Sequence, residues 1–495
     1  MSTTRRDFIR FVVAGSVAAG CPIDLPLLAA GEAQTEIDGE HNEVCHEIRN
    51  GHQFAHPAAS SKHDVVIVGG GVSGLTAAYL LREKDFLLLE KEPHWGGNSY
   101  LEDYNGIPYA TGGAFVVGEA AVEFSKEIGL RQLPIANWDG TIVNGEFVAD
   151  TWGEGIDRLP YPQNVRDGFK KFRDSLLRID AAKNAAELDL TPFSRFTDGY
   201  PPEVKAWWDG YGPSNWGATT EETAAVIAIA EMHDIAGADR KDERTTLPGG
   251  LGAINERLVE IMAAHKDRML LNAATVAVVP QKHAVNVTFL QNGKLCTVAA
   301  KGVIMATPKL ITGRIVEGMP QKQKDAIAKI EYIPYPVVNL VYDRPVFNRG
   351  YDTWCPGNSF TDFIVADWVV RNQQGYKQKH NILTCYTPMP ASQRAVLLTD
   401  AGCREVASSV LRDFKKLLPE TNVDPIEVHI YRRGHPMYKA KPGNFTQVLP
   451  LARQPMQRVF FANTDSEGPV STTDGGIVAA RRAVKGYEAL LAGKA

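Results

Sequence analysis

Three glycines and one glutamate are spaced like groups that hold a diphosphate and a ribose. In VVIVGGGVSGLTAAYLLREKDFLLLEK, Gly69, Gly71 and Gly74 follow the apolar run Val65 to Val68, and Glu90 closes a second run, Phe86 to Leu89. Glycines in this pattern permit a tight turn, let backbone amides approach a pyrophosphate, and let a helix pack closely on a strand. A carboxylate about 20 residues further on accepts from ribose hydroxyls. Ser73 in the same turn and Lys91 beside the glutamate join them as candidate cofactor contacts.

The elements that must position these groups are written around them. Val65 to Val68 has no polar interruption, as in a strand buried on both faces. Leu75, Ala78, Tyr79 and Leu81 recur at helical spacing, and the N-terminus of that helix offers amides and partial positive charge to phosphates. Strand, glycine turn, helix, second strand and terminal carboxylate occur in order, which predicts a dinucleotide-binding domain of the Rossmann type.

The stretch EVCHEIRNGHQFAH asks for different chemistry. The chain has 12 histidines, and His41, His46, His52 and His56 fall together. Imidazole ligates metals and haem iron, and it equally serves as a hydrogen-bonding group in a polar strap, so both readings stand at this point. No CxxCH is present, so covalently attached haem is not expected. The six cysteines form no CxxC pair, which argues against zinc and iron–sulfur frameworks. One or two disulfides are compatible with an oxidising compartment, although spacing does not choose the partners.

Bulk properties bound the rest. A chain of 495 residues exceeds one ordinary core and suits two or three subdomains. Hydrophobic residues make up 44% and charged residues 22%, the balance of a folded globular enzyme. A net charge of only -5 speaks against a nucleic-acid partner and supplies no basic membrane-binding surface. The opening MSTTRRDFIRFVVAGSVAAGC places Arg5 and Arg6 before Phe8 and a short apolar run, as in a twin-arginine export signal. An ordinary amphipathic helix is the other reading. The run falls short of the roughly 20 apolar residues a membrane span needs, so no transmembrane domain is expected in the mature protein. A periplasmic location follows, with cleavage near Ala30 or acylation at Cys21 as alternative fates of the segment.

The order of landmarks resembles the flavin-containing amine oxidase superfamily. Glu90 is followed by KEPHWGGNSY, whose Gly96 and Gly97, with Asn98 beside them, match a glycine pair of that family and favour FAD over NAD. TTLPGGLGAINERLVEIMAAH, with Gly249 and Gly250, resembles the segment that opens the second part of the FAD domain. NAATVAVVPQKHAVNVTFLQNGKLCTVAAKGVIMATP reads as a strand meander around an Asn-Gly turn. There the resemblance implies that Val276 holds the adenine through its backbone and that Ala306, Thr307 and Pro308 close the domain. In RVFFANTDSEGPVSTTDGGIVAARRAV it implies that Asp465 bonds the ribityl or pyrophosphate region. It also implies that Gly475, Gly476 and Ile477 begin a helix whose positive end faces the flavin N1 and O2 edge. Ala462 and Asn463 stand where the family more often has Ala-Gly. No cysteine is placed for a covalent flavin, so FAD is expected to be noncovalent.

Within the superfamily, Glu43, Val44, Cys45, His46, Ile48, Arg49, Asn50 and Gly51, with the FFANTD and RRGHPMY stretches, resemble bacterial spermidine dehydrogenases. Those are exported flavoproteins that also hold haem. The resemblance implies His46 as an axial ligand of haem b, with His52 and His56 as second choices, and a His-bearing strap remains the alternative. On the substrate side Val337 or Val338 falls where many amine oxidases have a lysine near flavin N5, and Thr472 or Thr473 replaces a frequent tyrosine. His435 and Tyr438, in GHPMYKAKPG, are the candidate catalytic groups near the flavin. Trp207, Trp208, Trp216, Trp354 and Trp368 are either core or pocket wall.

The expected fold is α/β, with a discontinuous Rossmann-type FAD-binding domain (63–135, 241–310 and 452–495) and a second, mixed-sheet substrate domain (136–240 and 311–451). A signal segment (1–33) and a His-bearing strap (34–62) precede them. The expected function is oxidation of a small-molecule, polyamine-like amine. Hydride passes from the carbon next to nitrogen to flavin N5, and electrons go to haem, a respiratory acceptor or oxygen. Two other classes stand against it: carbon–carbon desaturation of an apolar substrate, and an exported flavin protein that only relays electrons.

Overall fold

Uninterrupted apolar runs make the middle of a seven-stranded sheet in the computed structural model, which describes residues 35–136, 138–241, 243–373, 379–419 and 423–493. The twin-arginine segment and Cys21 lie outside the described residues. Ser61–Val68 pairs in parallel with Phe86–Leu89 on one side and with Lys294–Met305 on the other, and Val459–Phe461 runs parallel to the end of Lys294–Met305. Met269–Leu270 extends the parallel part, while Val285–Gln291 and Ala273–Pro280 add an antiparallel meander. Val65, Val66 and Ile67 are completely buried, as strands covered on both faces require. Val66, Val68, Val303 and Met305 enter one core and Val65, Ile67 and Ile304 the other, the period of two expected of a strand. Helices Val72–Leu80, Gly252–Ile261 and Thr473–Leu491 supply Leu75, Ile254 and Ile477 to the second core.

The second sheet has eight strands in the order Thr35–Gly39, Glu427–Arg432, Val337–Tyr342, Asn381–Tyr386, Asp362–Val365, Asp352–Trp354, Gly140–Val143 and Glu146–Val148. It is mixed: the first pair and the pair of Asp352–Trp354 with Gly140–Val143 are parallel, the others antiparallel. Val338, Phe363 and Cys385 face helix Asp400–Leu417 through Ala407, Val410 and Phe414. Helices Gln163–Leu176, Pro202–Trp216 and Ala225–Ala236 build a further core around Trp152, Trp207, Trp208 and Trp216, with Trp354 at its margin. The fold is therefore a Rossmann-type domain of discontinuous segments joined to a mixed-sheet substrate domain.

The histidine-bearing segment ties the two sheets together. Thr35–Gly39 is the edge strand of the substrate sheet, whereas Cys45 and Ile48, on the short helix Glu43–Arg49, pack against the core of the Rossmann sheet. Cys45, Cys296, Cys355, Cys385 and Cys403 are free thiols, so none of the described cysteines forms a disulfide. Among the described residues no helix is long and apolar enough to cross a membrane.

Candidate active site

The parallel strands of the Rossmann sheet end at one edge, where Val68, Leu89, Glu90 and Ala306 border a cavity of about 440 Å³. Ligands of open α/β sheets bind at the carboxyl ends of the strands. Gly69 has φ +105°, and a Cβ there would stand 2.8 Å from the Ala306 carbonyl oxygen, so the turn is closed to larger residues. At Gly74 a Cβ would collide with the carbonyl of Gly69, which is how helix and strand pack closely enough to leave room for a diphosphate. The second glycine pair rests on this turn: Gly96 N donates to Gly70 O at 2.9 Å, and Gly71 and Gly96 form an isolated parallel bridge. Gly69, Gly71, Ser73, Gly96, Gly97 and Asn98 all border the cavity, and Gly74 supports them from behind.

Glu90 closes the ribose end and is buried. Its Oε1 accepts from Glu92 N at 2.9 Å and its Oε2 from Gly70 N. Burial pushes its carboxyl pKa up, and the Lys91 ammonium opposes that shift. Burial alone would lower the Lys91 pKa, but the carboxylates of Glu92 and Glu40 outweigh it and hold the ammonium charged. Lys91 Nζ bonds Glu92 and donates to the His41 carbonyl at 3.0 Å.

That last bond belongs to the strap. His41 Nδ1 meets Glu92 Oε2 at 2.7 Å, Glu40 accepts from Gly434 N at 2.8 Å, and Gly39, Glu40 and Cys45 border the cavity. His46 is half-buried on its helix, where burial and then Arg49 lower its pKa, while His52 and His56 are exposed. His52 lies edge-on to Phe54 at 4.5 Å. None of the three borders the cavity, and among the described residues no three His, Cys, Asp or Glu side chains converge as a metal cage. The histidine-rich stretch thus roofs the ribose end and bridges the sheets, through His41 rather than through the favoured His46.

Other expected contacts lie at the margin of the cavity or behind its wall. Val276 sits at a register shift between Thr275 and Ala277 with its side chain buried, and its neighbours Ala273, Ala274 and Thr275 border the cavity. A bulge turns one residue out of sequence with its neighbours, which the alternating pattern does not reveal. Asp465 lies off the cavity wall: it accepts from Lys309 N at 2.6 Å, from Lys309 Nζ at 2.9 Å and from the Tyr332 hydroxyl. Burial lowers the Lys309 pKa and Asp465 opposes that shift. Gly475, Gly476 and Ile477 occupy the first turn of Thr473–Leu491 as expected, but Thr472 and Thr473 are the residues that border the cavity. Thr472 Oγ1 caps that helix by accepting from Gly475 N at 3.0 Å, and a Cβ at Gly476 would meet Val72 and Ser73, so this glycine lets two helix N-termini approach.

His435 and Tyr438 both border the cavity. His435 neighbours the strap and the Asn98–Pro436 contact of 3.1 Å, on the cofactor side; burial and then Arg394 push its pKa down to about 4, so it is neutral. Tyr438 is buried and donates to Gly468 O at 3.1 Å.

The opposite wall is the inner face of the substrate sheet. Strand register sets Val337, Tyr386, Asp362 and Trp354 side by side across four strands, and all four border the cavity. Of the two valines at the lysine position, Val337 therefore faces the cavity and Val338 the core. Asp352, two residues before Trp354, lies on the same face, and Ser214, Tyr335 and Phe115 complete the wall. Sequence reasoning passed over Asp352 and Asp362. Their signal was a carboxylate inside each of two otherwise buried strands, in YDTW and TDFIV.

The residues present fit FAD. Two buried polar atoms beside the cavity, Thr275 Oγ1 and Asn255 Oδ1, have no protein partner, and glycines clear the pyrophosphate position. A Rossmann edge with this glycine turn, the second glycine pair and a facing substrate sheet defines a flavin-dependent oxidoreductase. The model of the flavin-containing amine oxidoreductase family matches residues 72–486, and the chain belongs to that family. Oxidoreductase PigB of Serratia sp. (strain ATCC 39006) is 23% identical over 82% of this chain and 72% of its own length. The flavin-containing amine oxidase A of Bos taurus is 24% identical over 86% and 85%. Among solved structures, cyclohexylamine oxidase from Brevibacterium oxydans IH-35A superposes with TM-score 0.67 at 19% identity, over 87% of this chain and 99% of that one. Putrescine oxidase bound to putrescine does so with TM-score 0.67 at 18% identity, over 86% and 99%. At these identities the structural likeness is one of fold.

Proposed function

We propose that the protein is an exported FAD-dependent enzyme that oxidises a polyamine-like amine. The observation that carries this reading is the facing of two walls across one cavity: a dinucleotide cradle on one side, aromatic and carboxylate side chains on the other. FAD held by these residues would supply the hydride acceptor, at N5, for the carbon next to nitrogen, and water would convert the oxidised amine to aldehyde and ammonium. The chain's own work is orientation and exclusion of water. Glu90 and the Gly69–Gly74 turn hold the nucleotide, the helix N-terminus at Thr472 and Thr473 turns its positive end to the cavity, and Tyr335, Tyr386 and Trp354 enclose the substrate. Relatives whose names include amine oxidase, cyclohexylamine oxidase and putrescine oxidase support amine over an apolar desaturation substrate, as do the two carboxylates in the wall. An open cavity also argues against a bare electron relay.

Electrons leave for oxygen or a respiratory acceptor. His46 and His52 lie outside the cavity lining. Arg5 and Arg6 ahead of a short apolar run support export, and replacing both by lysine is expected to retain the protein in the cytoplasm. The deciding experiment mixes the oxidised holoprotein anaerobically with monoamines and polyamines and follows flavin absorbance. Bleaching by an amine is expected, and a flavin that no amine reduces would sink the reading. The same spectrum tests haem, since a Soret band lost on His46→Ala would restore that ligand.

A further inference from the structure

Among the described residues two carboxylates in the substrate wall form no salt bridge, although the charge of Arg244 reaches Asp352. Asp352 is 3% exposed and its Oδ1 has no hydrogen-bond partner, although the residue borders the cavity. Asp362, also 3% exposed, accepts from Thr361 Oγ1 at 2.6 Å and lies within reach of Ser214. The two residues sit diagonally on adjacent antiparallel strands, with Trp354 opposite Asp362. Across such a pair diagonal residues are roughly 7 Å apart, close enough for one group to touch both carboxylates. The nearby Arg244 is already paired with Asp139 and lies over the Phe115 ring at 4.4 Å. Leaving an unpaired carboxylate out of water is costly, and two side by side more so, unless a donor-rich cation meets them. Burial raises both pKa values, Asp362 to about 7, which is the expected response of such a pair when no cation is bound.

Resting on the amine-oxidising reading above, we propose that Asp352 and Asp362 form the subsite for the second, non-reacting ammonium of a diamine or polyamine. A primary ammonium has three N–H donors and no acceptor. Asp352 Oδ1 and the Asp362 carboxylate take two of them, and the Ser214 hydroxyl, which shares a 2.6 Å bond with Tyr335, is placed to accept the third. Trp354, Tyr335 and Tyr386 border the cavity beside the pair and sheathe the alkyl chain, leaving the other amino group toward the FAD-facing wall. A monoamine of the same length buries its methyl end against the carboxylates and leaves them unmet, so the site selects against it.

The test compares 1,4-diaminobutane with butylamine in anaerobic flavin reduction by the holoprotein and by Asp352→Asn and Asp362→Asn. The wild type is expected to favour the diamine by roughly 100-fold in kcat/KM, the range associated with a buried ion pair. Each variant should lose most of that preference, chiefly through a raised KM for the diamine, while kcat/KM for butylamine rises or falls far less than that for the diamine. Equal loss for both amines, or an unchanged preference, overturns the subsite. Reduction by no amine at all overturns the amine reading instead. Should the variants fail to retain flavin, thermal unfolding of the wild type with each amine decides: 1,4-diaminobutane must raise the melting temperature more than butylamine does, and equal shifts refute the proposal.

Discussion

The FAD-facing wall meets the cavity with glycines, a helix N-terminus and one glutamate, whereas the substrate wall meets it with aromatic rings and two aspartates. The first recognises through backbone, the second through side chains. Backbone recognition demands the absence of atoms, as at Gly69 and Gly74, and is damaged by adding even one carbon. Side-chain recognition demands a scaffold that holds bulky groups in register, and Trp207, Trp208 and Trp216, packed beside Trp354, supply it. The two walls should therefore fail differently.

The largest expected effect is on the backbone wall. Gly74→Val places a side chain into the Gly69 carbonyl, and the purified protein should carry no flavin, measured as the ratio of absorbance at 450 nm to protein; a flavin-replete variant would show that the turn tolerates side chains. On the other wall Trp208→Ala removes a completely buried indole and should cost about 3–5 kcal/mol of stability in chemical unfolding. If flavin is retained at moderate temperature in that variant, the walls are separable. Glu90→Gln keeps the shape but loses the charge, and a charge-assisted hydrogen bond to ribose is worth about 1.5–3 kcal/mol, so the FAD dissociation constant should rise by roughly tenfold to a hundredfold in titration of the apoprotein.

The smallest effect is a pH slope behind the substrate wall. Glu231 accepts from the Tyr211 hydroxyl, and burial raises its pKa from 4.5 to about 7 against that hydrogen bond. Between these values the native state binds more protons than the unfolded chain, so stability falls as pH rises from 4.5 to 7. Glu231→Gln should flatten that segment of the melting-temperature profile and leave flavin content unchanged. An identical slope in the variant would move its origin elsewhere, to the Asp352 and Asp362 pair first.

Legibility in the sequence followed the same division. Gly69, Gly71, Ser73, Gly74, Glu90 and the Gly96–Gly97 pair were readable because one strand–turn–helix–strand unit contains them and each demands a residue type that little else can replace. Two local features were not readable: the register shift that leaves Val276 outside the strand pairing, and the buried Lys309 that bonds Asp465. The four clustered histidines drew attention as a ligand set, yet only His41 is tied to the cofactor end, by a bond to Glu92. Asp352 and Asp362 were visible as carboxylates in apolar strands, but nothing in the chain order pairs them with Tyr386 or Val337.

By itself the sequence determined the nucleotide-binding half, the family and the α/β character, because recognition through backbone is local and every residue of the turn is a near neighbour in the chain. Tertiary structure decided the substrate half. Val337, Trp354, Asp362 and Tyr386 become one wall only when four strands pair in a particular register, and a shift of a single residue would turn that face into the core and bring Val338, Phe363 and Cys385 to the cavity.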